Sequence, residues 1–600
     1  MLNTRKRRYL RHISIGKAHL YFITYALNSP VFNTPIMSHI PHLEKTATSQ
    51  QLIVHDEPFL MLAAELQNSS LTSTEYMRTK WQDLVDTNIN TVLGCVTWEM
   101  IEPTEGQFDF SLLDQIIRDA RAYGLKLVLL WFGSFKNGMS TYVPEWVKID
   151  QKRFPRARLR KAGSVLETAD VLSIFHEEAP KADAKAFATL MRHLREIDEA
   201  YSTVIMVQVE NECGLLGDSR DGSKAAEKAF HEPVPDELSR LLLVDWNNLH
   251  PMLKANIKLE SLGIAKYADS WDELFGRGKR TDELFMAYHY SLYVERVAAA
   301  GKSEYPLPLY TNVWMNSAES ESASATEAGG GGTPGEYPSG GAVSNVLDVW
   351  QHFAPSLDFI SPDIYLNNYW NACADYRHRD QPLFIPEQRR DEYGARRIWV
   401  AYGSFQALGA SPFGIDTLDP KTSAFRKHYG MLASISPVVL EVQRRPGTSI
   451  GFFFDELRPD GSDPSPPIVH EIDGFELRIE RSFVFGKPGP GCGMVLKLQG
   501  NRDRCKFLLV GWGFQVGFRS LKKNTSFTGI LSMKEVTFDK KTGEFQTHRV
   551  LNGDETRSGK WAMMPNEDPD YAGFPIAITI PAGTGLAECE VYSLDEQIDD

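Results

Sequence analysis

Thr91-Val92-Leu93-Gly94-Cys95-Val96-Thr97-Trp98, an amphipathic run opening at Ser111, and Leu125-Lys126-Leu127-Val128-Leu129-Leu130-Trp131 together decide the fold. The flanking runs are almost continuously apolar, as strands are when both faces of a parallel sheet are covered. The run between them carries Leu112, Leu113, Ile116, Ile117 and Ala120 at helical spacing, and Gly124 supplies its stop. This β-α-β unit repeats in both directions. Upstream lie a strand from Phe59 to Glu65 and a helix with Met77, Trp81, Leu84 and Val85 on one face, opened by Thr72 and Ser73. Downstream come a helix bearing Phe187, Leu190, Met191, Leu194 and Ile197, then strands at 204–209, 308–313, 357–365, 382–387 and 411–416. Eight strands with intervening helices predict an α/β fold, a (β/α)8 TIM barrel over residues 50–430. A doubly wound sheet would need a Gly-rich phosphate turn early in the chain, and none is there. The stretch Asn316–Ala328 with Gly329–Gly335 lacks a following Gly-Lys-Ser/Thr and reads as a long loop over the barrel mouth.

Beyond residue 430 the texture changes. Period-two runs such as Phe475-Glu476-Leu477-Arg478-Ile479 and Phe507-Leu508-Leu509-Val510 alternate with turn clusters such as Lys487-Pro488-Gly489-Pro490-Gly491, which predicts an all-β sandwich over 431–600. Residues 1–49 read as a leader, disordered or targeting. Arg5, Lys6, Arg7, Arg8, Arg11 and Lys17 precede the first acidic residue, Glu44, and Leu20–Leu27 is apolar. Met37 offers an alternative start. A cytoplasmic location is the expectation and secretion the alternative. Of the two glycosylation sequons, Asn68-Ser69-Ser70 and Asn524-Thr525-Ser526, the first lies where a glycan would crowd the barrel mouth.

A hydrophobic content of 42% and a charged content of 24% suit a globular enzyme. The net charge of -14 argues against nucleic acid as a partner. No apolar run reaches the roughly 18 residues of a membrane span. The six cysteines are scattered without a C-x-x-C pair, and free thiols are expected rather than bridges. His176-Glu177-Glu178 is followed at 180 by Pro, so the zinc motif H-E-x-x-H is missing. Neither metal nor organic cofactor is expected.

In such barrels the polar residues at the C-terminal ends of the strands line the active site. Glu65, Trp98, Glu99, Asn211, Glu212, Tyr365, Glu387 and Asp416 fall at those ends. An isolated Glu ending a strand is commonly a solvated loop residue or an ion-pair partner. Two of them, on strands four and seven, are what hydrolysis of a glycosidic bond with retention requires. One carboxyl stays protonated to donate to the leaving oxygen and the other attacks the anomeric carbon, with about 5–5.5 Å between them. Glu65 and Glu99 read equally as sugar-hydroxyl ligands or as partners of nearby Lys and Arg. Among Trp98, Trp131, Trp146 and Trp314, one or two are expected to stack on sugar, the others to pack in the core. Asp416 reads as structural.

The residues carry a more specific likeness. Val207-Gln208-Val209-Glu210-Asn211-Glu212-Cys213-Gly214 resembles the acid/base block of glycoside hydrolase family 35, the β-galactosidases of the clan A barrels. Thr97-Trp98-Glu99 and Glu102-Pro103-Thr104-Glu105-Gly106-Gln107-Phe108-Asp109-Phe110 resemble that family's second-strand block. The resemblance implies Glu212 as proton donor, Asn211 as a ligand of the sugar 2-hydroxyl, Glu387 as nucleophile and Tyr365 as its hydrogen-bond partner. There are departures: Cys213 replaces a tyrosine, Glu99 an asparagine, and Trp131-Phe132-Gly133-Ser134-Phe135-Lys136 stands where the family has Gly-Pro-Tyr. All three bear on sugar specificity rather than on hydrolysis.

The function expected is therefore a retaining exo-β-galactosidase with Glu212 and Glu387 catalytic, and Asn211, Tyr365, Glu65, Trp98, Glu99 and Trp131 binding a β-galactoside. The alternatives are the same chemistry on glucose, mannose, xylose or arabinopyranose, transglycosylation, and a non-catalytic carbohydrate-binding barrel. Self-assembly into a homo-oligomer is left open.

Overall fold

Eight parallel strands follow one another in chain order around a barrel in the computed structural model, which describes residues 40–259, 268–316, 330–482, 489–551, 553–566 and 579–596. They are β1 (Met61–Glu65), β2 (Thr91–Thr97), β3 (Lys126–Lys136), β4 (Val204–Asn211), β5 (Leu309–Trp314), β6 (Phe359–Asp363), β7 (Phe384–Gln388) and β8 (Gly409–Pro412). The hydrogen-bonded order β6-β5-β4-β3-β2-β1-β8-β7 closes where the Ile364 N–H donates to the Glu387 carbonyl at 2.9 Å.

The apolar runs form these strands because both faces find cover. Met61, Ala63, Leu93, Val128, Leu130, Phe132, Tyr310, Phe359 and Phe384 fill the barrel lumen. Their alternates Leu62, Ala64, Val92, Val96, Leu127, Leu129 and Trp131 meet the helix layer. That layer includes α1 (Ser111–Ala122), α2 (Glu178–Asp198), α3 (Lys279–Glu304), α4 (Glu392–Ser404) and α5 (Ala424–Gln443). In α1 the buried residues are Leu113, Ile116, Ile117 and Ala120, four of the five predicted stripe positions. Among the described residues no helix is long and apolar enough to cross a membrane.

Some boundaries differ from expectation. The helix read around Met77–Val85 is two short ones, Thr74–Arg78 and Trp81–Asp86, the first capped by Ser73, whose hydroxyl accepts from the Tyr76 N–H. β3 runs to Lys136, five residues past its expected end. β8 begins and ends earlier, because Gly414 turns the chain left-handed at φ 68° into a 3-10 turn at Ile415–Thr417. Within the expected leader, His42–Lys45 pairs with Gln50–Val54 in a hairpin whose Leu52 and Val54 join the lumen cluster. Residues 1–39, and 317–329 of the expected long loop, lie outside the described residues.

The C-terminal region is all β, in two antiparallel sheets. Its strands are β9 (Ser449–Phe454), β10 (Ile468–Ile472), β11 (Phe475–Arg481), β12 (Gly491–Gly500), β13 (Arg504–Trp512), β14 (Phe514–Ser520), β15 (Thr525–Asp539), β16 (Glu544–Leu551), β17 (Trp561–Met563) and β18 (Leu586–Asp595). The order is β9-β12-β13-β18-β15-β16 in one sheet and β10-β11-β14-β17 in the other. Phe452, Phe475, Leu477, Ile479, Phe507, Leu509 and Phe514 are buried between them.

The larger sheet is covered on its second face too. Cys492, Met494 and Leu496 of β12, with Leu508, Val510 and Trp512 of β13, belong to the same apolar cluster as the barrel's helix layer. Two glycines permit the approach. A Cβ on Gly451 of β9 would overlap the Trp399 carbonyl of α4, and one on Gly403 would press on the Gly451 backbone. α5 ties in from the other side, its Tyr429 hydroxyl 2.6 Å from the carbonyls of Ala63 and Ala410. All six cysteines are free and buried.

Candidate active site

Four adjacent strand ends converge on one cluster. β4 brings Asn211 and then Glu212, β5 Asn312, β6 Asp363 and then Tyr365, and β7 Glu387. One carboxyl oxygen from each of Glu212, Asp363 and Glu387 lies within 4.8 Å of the others. Glu212 and Glu387 are buried, at 7% and 6% exposure, and open toward the same gap.

Asn312 is the hub. Its Oδ1 accepts from the Glu212 N–H at 2.9 Å, and its Nδ2 faces Asp363 Oδ2 at 2.8 Å, Asn211 Oδ1 at 3.0 Å and Glu387 Oε1 at 3.3 Å. Asn211 Oδ1 also accepts from Gln208 Nε2 at 3.0 Å, and its own Nδ2 donates to Asn137 Oδ1 at 3.1 Å. Tyr365 donates its hydroxyl to Glu387 Oε2 at 2.7 Å. Both oxygens of Glu387 therefore carry a donor, which fixes the carboxylate's orientation.

The end of β4 is held in a sparsely populated backbone conformation. Glu210 and Glu212 have φ of 60° and 47°, in the left-handed region that non-glycine residues avoid. Glu210 is turned away from Glu212 toward the helix layer. Its carboxyl accepts the N–H of Ser134 at 3.1 Å and of Phe135 at 2.7 Å, which also pins the extension of β3. Asp183 of α2 joins it, accepting from Trp131 Nε1 at 2.9 Å and from Ser134 N at 3.0 Å. Burial first, then the charge of Asp183, holds the Glu210 carboxyl far above the carboxylate range, and burial raises Asp183 as well.

Electrostatics separates the two catalytic candidates. Burial, then the charge of Glu387, pushes Glu212 up to about 7 against the opposing pull of Lys136. Burial and Glu387 likewise raise Asp363 and Glu65 well above the carboxylate range. Lys136, at the end of β3, is the cation of the cluster. Burial would lower its pKa, but the field of Glu387, Glu212, Glu65 and Asp363 raises it. The carboxyl trio has the spacing of a metal-binding group, yet the ammonium already offsets its charge and the raised acids are poor ligands. What the arrangement suits chemically is a protonated acid beside an ionised, oriented carboxylate.

The expected site residues divide accordingly. Glu212, Glu387, Asn211 and Tyr365 come together, and Glu65 lies within their field. Trp98 and Trp131 do not reach a sugar and are corrected to core residues, both with 0% exposure. The Trp98 indole donates to Glu102 Oε2 at 2.7 Å and packs edge-on to Trp146. Trp131 lies on the helix-facing side of β3, against Phe187. Glu99 is tied to Lys148 at 2.8 Å, the ion-pair alternative of its two readings. Asp416 accepts from the Gln67 N–H, Ser70 Oγ and Tyr76 Oη, a structural knot. Lys136, Asn312 and Asp363 were not singled out from the sequence. Period two would have found the last two, since Asn312 shares a face with Tyr310, and Asp363 with Phe359.

Comparison with known proteins agrees with this geometry at the level of class. Residues 70–255 match the family model of glycoside hydrolase family 42, described as β-galactosidase. With the closed barrel, this defines a glycoside hydrolase of the clan A type. The family 35 resemblance is corrected at the finer level: family 42 is the one matched, and the Asn-Glu pair ending β4 is a clan feature that does not separate the two. Residues 425–563 match a domain of unknown function (DUF5597). No curated protein matches the sequence. Solved structures similar to the chain include the β-amylase catalytic domain of Paenibacillus polymyxa, with 11% identity, TM-score 0.42, and coverage of 61% of this chain and 97% of that one. The β-galactosidase of Rahnella sp. R3 has 13% identity and TM-score 0.41, covering 63% of this chain and 57% of that one. The β-galactosidase of Bacillus circulans sp. alkalophilus has 14% identity and TM-score 0.42, covering 64% and 57%. This chain thus spans little more than half of those two β-galactosidases, and at such values the likenesses carry no argument.

Proposed function

We propose that the chain is a retaining exo-β-galactosidase in which Glu387 attacks the anomeric carbon and Glu212 is the acid/base. The observation that carries this reading is the approach of the Glu212 and Glu387 oxygens to within 4.8 Å. That spacing fits a double displacement and is too short for the water an inverting enzyme interposes across about 6.5–9.5 Å. In the first step the ionised Glu387, held by Tyr365 and Asn312, bonds to the anomeric carbon. As the glycosidic C–O bond breaks, the Glu212 proton passes to the leaving oxygen. Loss of that proton leaves Glu212 the base for water in the second step, which releases the sugar and frees Glu387. Galactose as the sugar is supported by the description of the matched family.

The test uses azide with a 4-nitrophenyl β-galactoside. Glu212→Gly should be rescued and yield the β-glycosyl azide. Glu387→Gly should yield the α-azide, because azide then enters from the nucleophile's side. Proton NMR of the products reads the configuration, and the opposite outcome overturns the assignment. A panel of glucosides, mannosides, xylosides and arabinopyranosides decides the sugar.

A further inference from the structure

The mechanism above leaves Lys136, Glu65 and Asp363 unused, all at the heart of the site. Lys136 is 8% exposed, and its Nζ stands 4.8 Å from the centre of the Phe132 ring, the lumen residue one turn of strand below. Among the described residues none accepts a hydrogen bond from that ammonium or pairs with it directly; the carboxyls of Glu387, Glu212, Glu65 and Asp363 act on it only through space. Glu65 is 1% exposed, and neither of its carboxyl oxygens has a hydrogen-bond partner. Asp363 Oδ1 is also without one. Buried ammonium and carboxyl groups left without partners are strongly unfavourable unless something else completes them. Both oxygens of Glu387, both ends of the Asn312 amide and the Asn211 acceptor are engaged, whereas Gln208 Oε1 and Tyr310 Oη, like Glu65, are without a partner.

We propose that Lys136 and Glu65 form the donor–acceptor pair that reads the ring hydroxyls of the bound terminal sugar, and that this sugar is neutral. The inference rests on the glycosidase reading and names what the same site recognises. A hydroxyl is donor and acceptor at once, so adjacent hydroxyls can satisfy the ammonium and the carboxyl together. A uronic acid fits less well. Its carboxylate would compete with Glu387, which the proposed mechanism needs ionised, for the single ammonium of the site.

The experiment measures kcat/KM of the full chain and of Lys136→Met and Glu65→Gln. The substrates are 4-nitrophenyl β-D-galactopyranoside, its 2-, 3-, 4- and 6-deoxy analogues, and the galacturonide. On the parent galactoside Lys136→Met should lose roughly 10- to 100-fold, the value of a charge-assisted hydrogen bond, and Glu65→Gln roughly 3- to 10-fold, that of a neutral one, since burial holds the Glu65 carboxyl protonated. On the one analogue lacking the contacted hydroxyl the loss should shrink to about twofold, because variant and analogue remove the same bond. Equal losses on every analogue would mean a merely structural or electrostatic role and overturn the proposal, as would a wild-type preference for the galacturonide that Lys136→Met abolishes. Should Lys136→Met fail to fold, Lys136→Gln takes its place on the same panel. If the wild type cleaves none of the galactosides, the proposed activity fails by itself. Calorimetric titration with galactose, glucose, mannose and xylose then tests the pair. The wild type should bind at least one of them and the Lys136 variant should bind it at least 10-fold more weakly; equal binding, or none by the wild type, overturns the inference.

Discussion

Tyr365 and Glu387, on adjacent strand ends, are joined by a 2.7 Å hydrogen bond in which the phenol donates to the carboxylate. Burial and then the Glu387 charge push the tyrosine hydroxyl well above its ordinary range, so it remains a donor at every pH at which the enzyme would work. Tyr365→Phe removes one of the two donors on the nucleophile. The expected result is a fall in kcat of roughly 10- to 100-fold with little change in the melting temperature. Steady-state kinetics and a thermal melt check both halves.

In the proposed mechanism the protonation of Glu212 sets the alkaline limit of activity. As acid it must hold its proton, and its pKa is raised to about 7, so kcat/KM should be sustained below that pH and decline as pH rises through it. Lys136 pulls the same pKa down, so Lys136→Met should move the alkaline limb to higher pH. A pH–rate profile of the two proteins tests the sign. A shift to lower pH would contradict the charge arrangement.

Beneath the site, burial and the neighbouring Asp183 raise the pKa of Glu210, whose carboxyl accepts the N–H groups of Ser134 and Phe135. Glu210→Gln keeps its oxygen as acceptor for the Phe135 N–H and offers Asp183 a donor, while the Ser134 N–H retains Asp183 as acceptor, so it should melt close to wild type. Glu210→Ala strands the buried Phe135 N–H, and the expected destabilisation is about 1–3 kcal/mol. It should also lower kcat, because the left-handed turn that presents Glu212 loses its anchor. Chemical denaturation and kcat for the pair of variants separate the two effects.

Trp131→Phe should destabilise the fold by about 1–3 kcal/mol, since the Asp183 acceptor is left without its indole donor in a buried setting. KM for any galactoside should be unchanged, because the ring faces helix α2 and not the gap between the glutamates. Thermal melts and KM on the same preparation provide the check.

These residues mark where the sequence was legible. The barrel could be read because each strand is an apolar run with a polar end, and Glu212 and Glu387 stood out as carboxyls at two such ends in the right order. Trp98 and Trp131 misled because a tryptophan near a strand end looks the same whether it faces lumen or helices. On β3 the parity answers the question: Val128, Leu130 and Phe132 face inward and Trp131 does not. Lys136 was hidden for a different reason. Counting by twos from Phe132 passes through Ser134, whose hydroxyl turns to Asp183 in the helix layer, and the pairing of β3 with β4 slips between Trp131 and Lys136, so the count alone does not assign the lysine to the lumen side. Only the long-range bonds from Glu210 to Ser134 and Phe135 show that the strand continues to the lysine.

The apolar cluster running from the barrel helices into Cys492, Met494, Val510 and Trp512 has a practical consequence for anyone cutting this gene. The matched C-terminal segment starts at 425, one residue into α5, whose Tyr429 reaches the carbonyls of β1 and β8. A stop codon placed there would strip the barrel of its last helix and bare the oily flank that the sheet covers. Neither fragment would make a transplantable cassette.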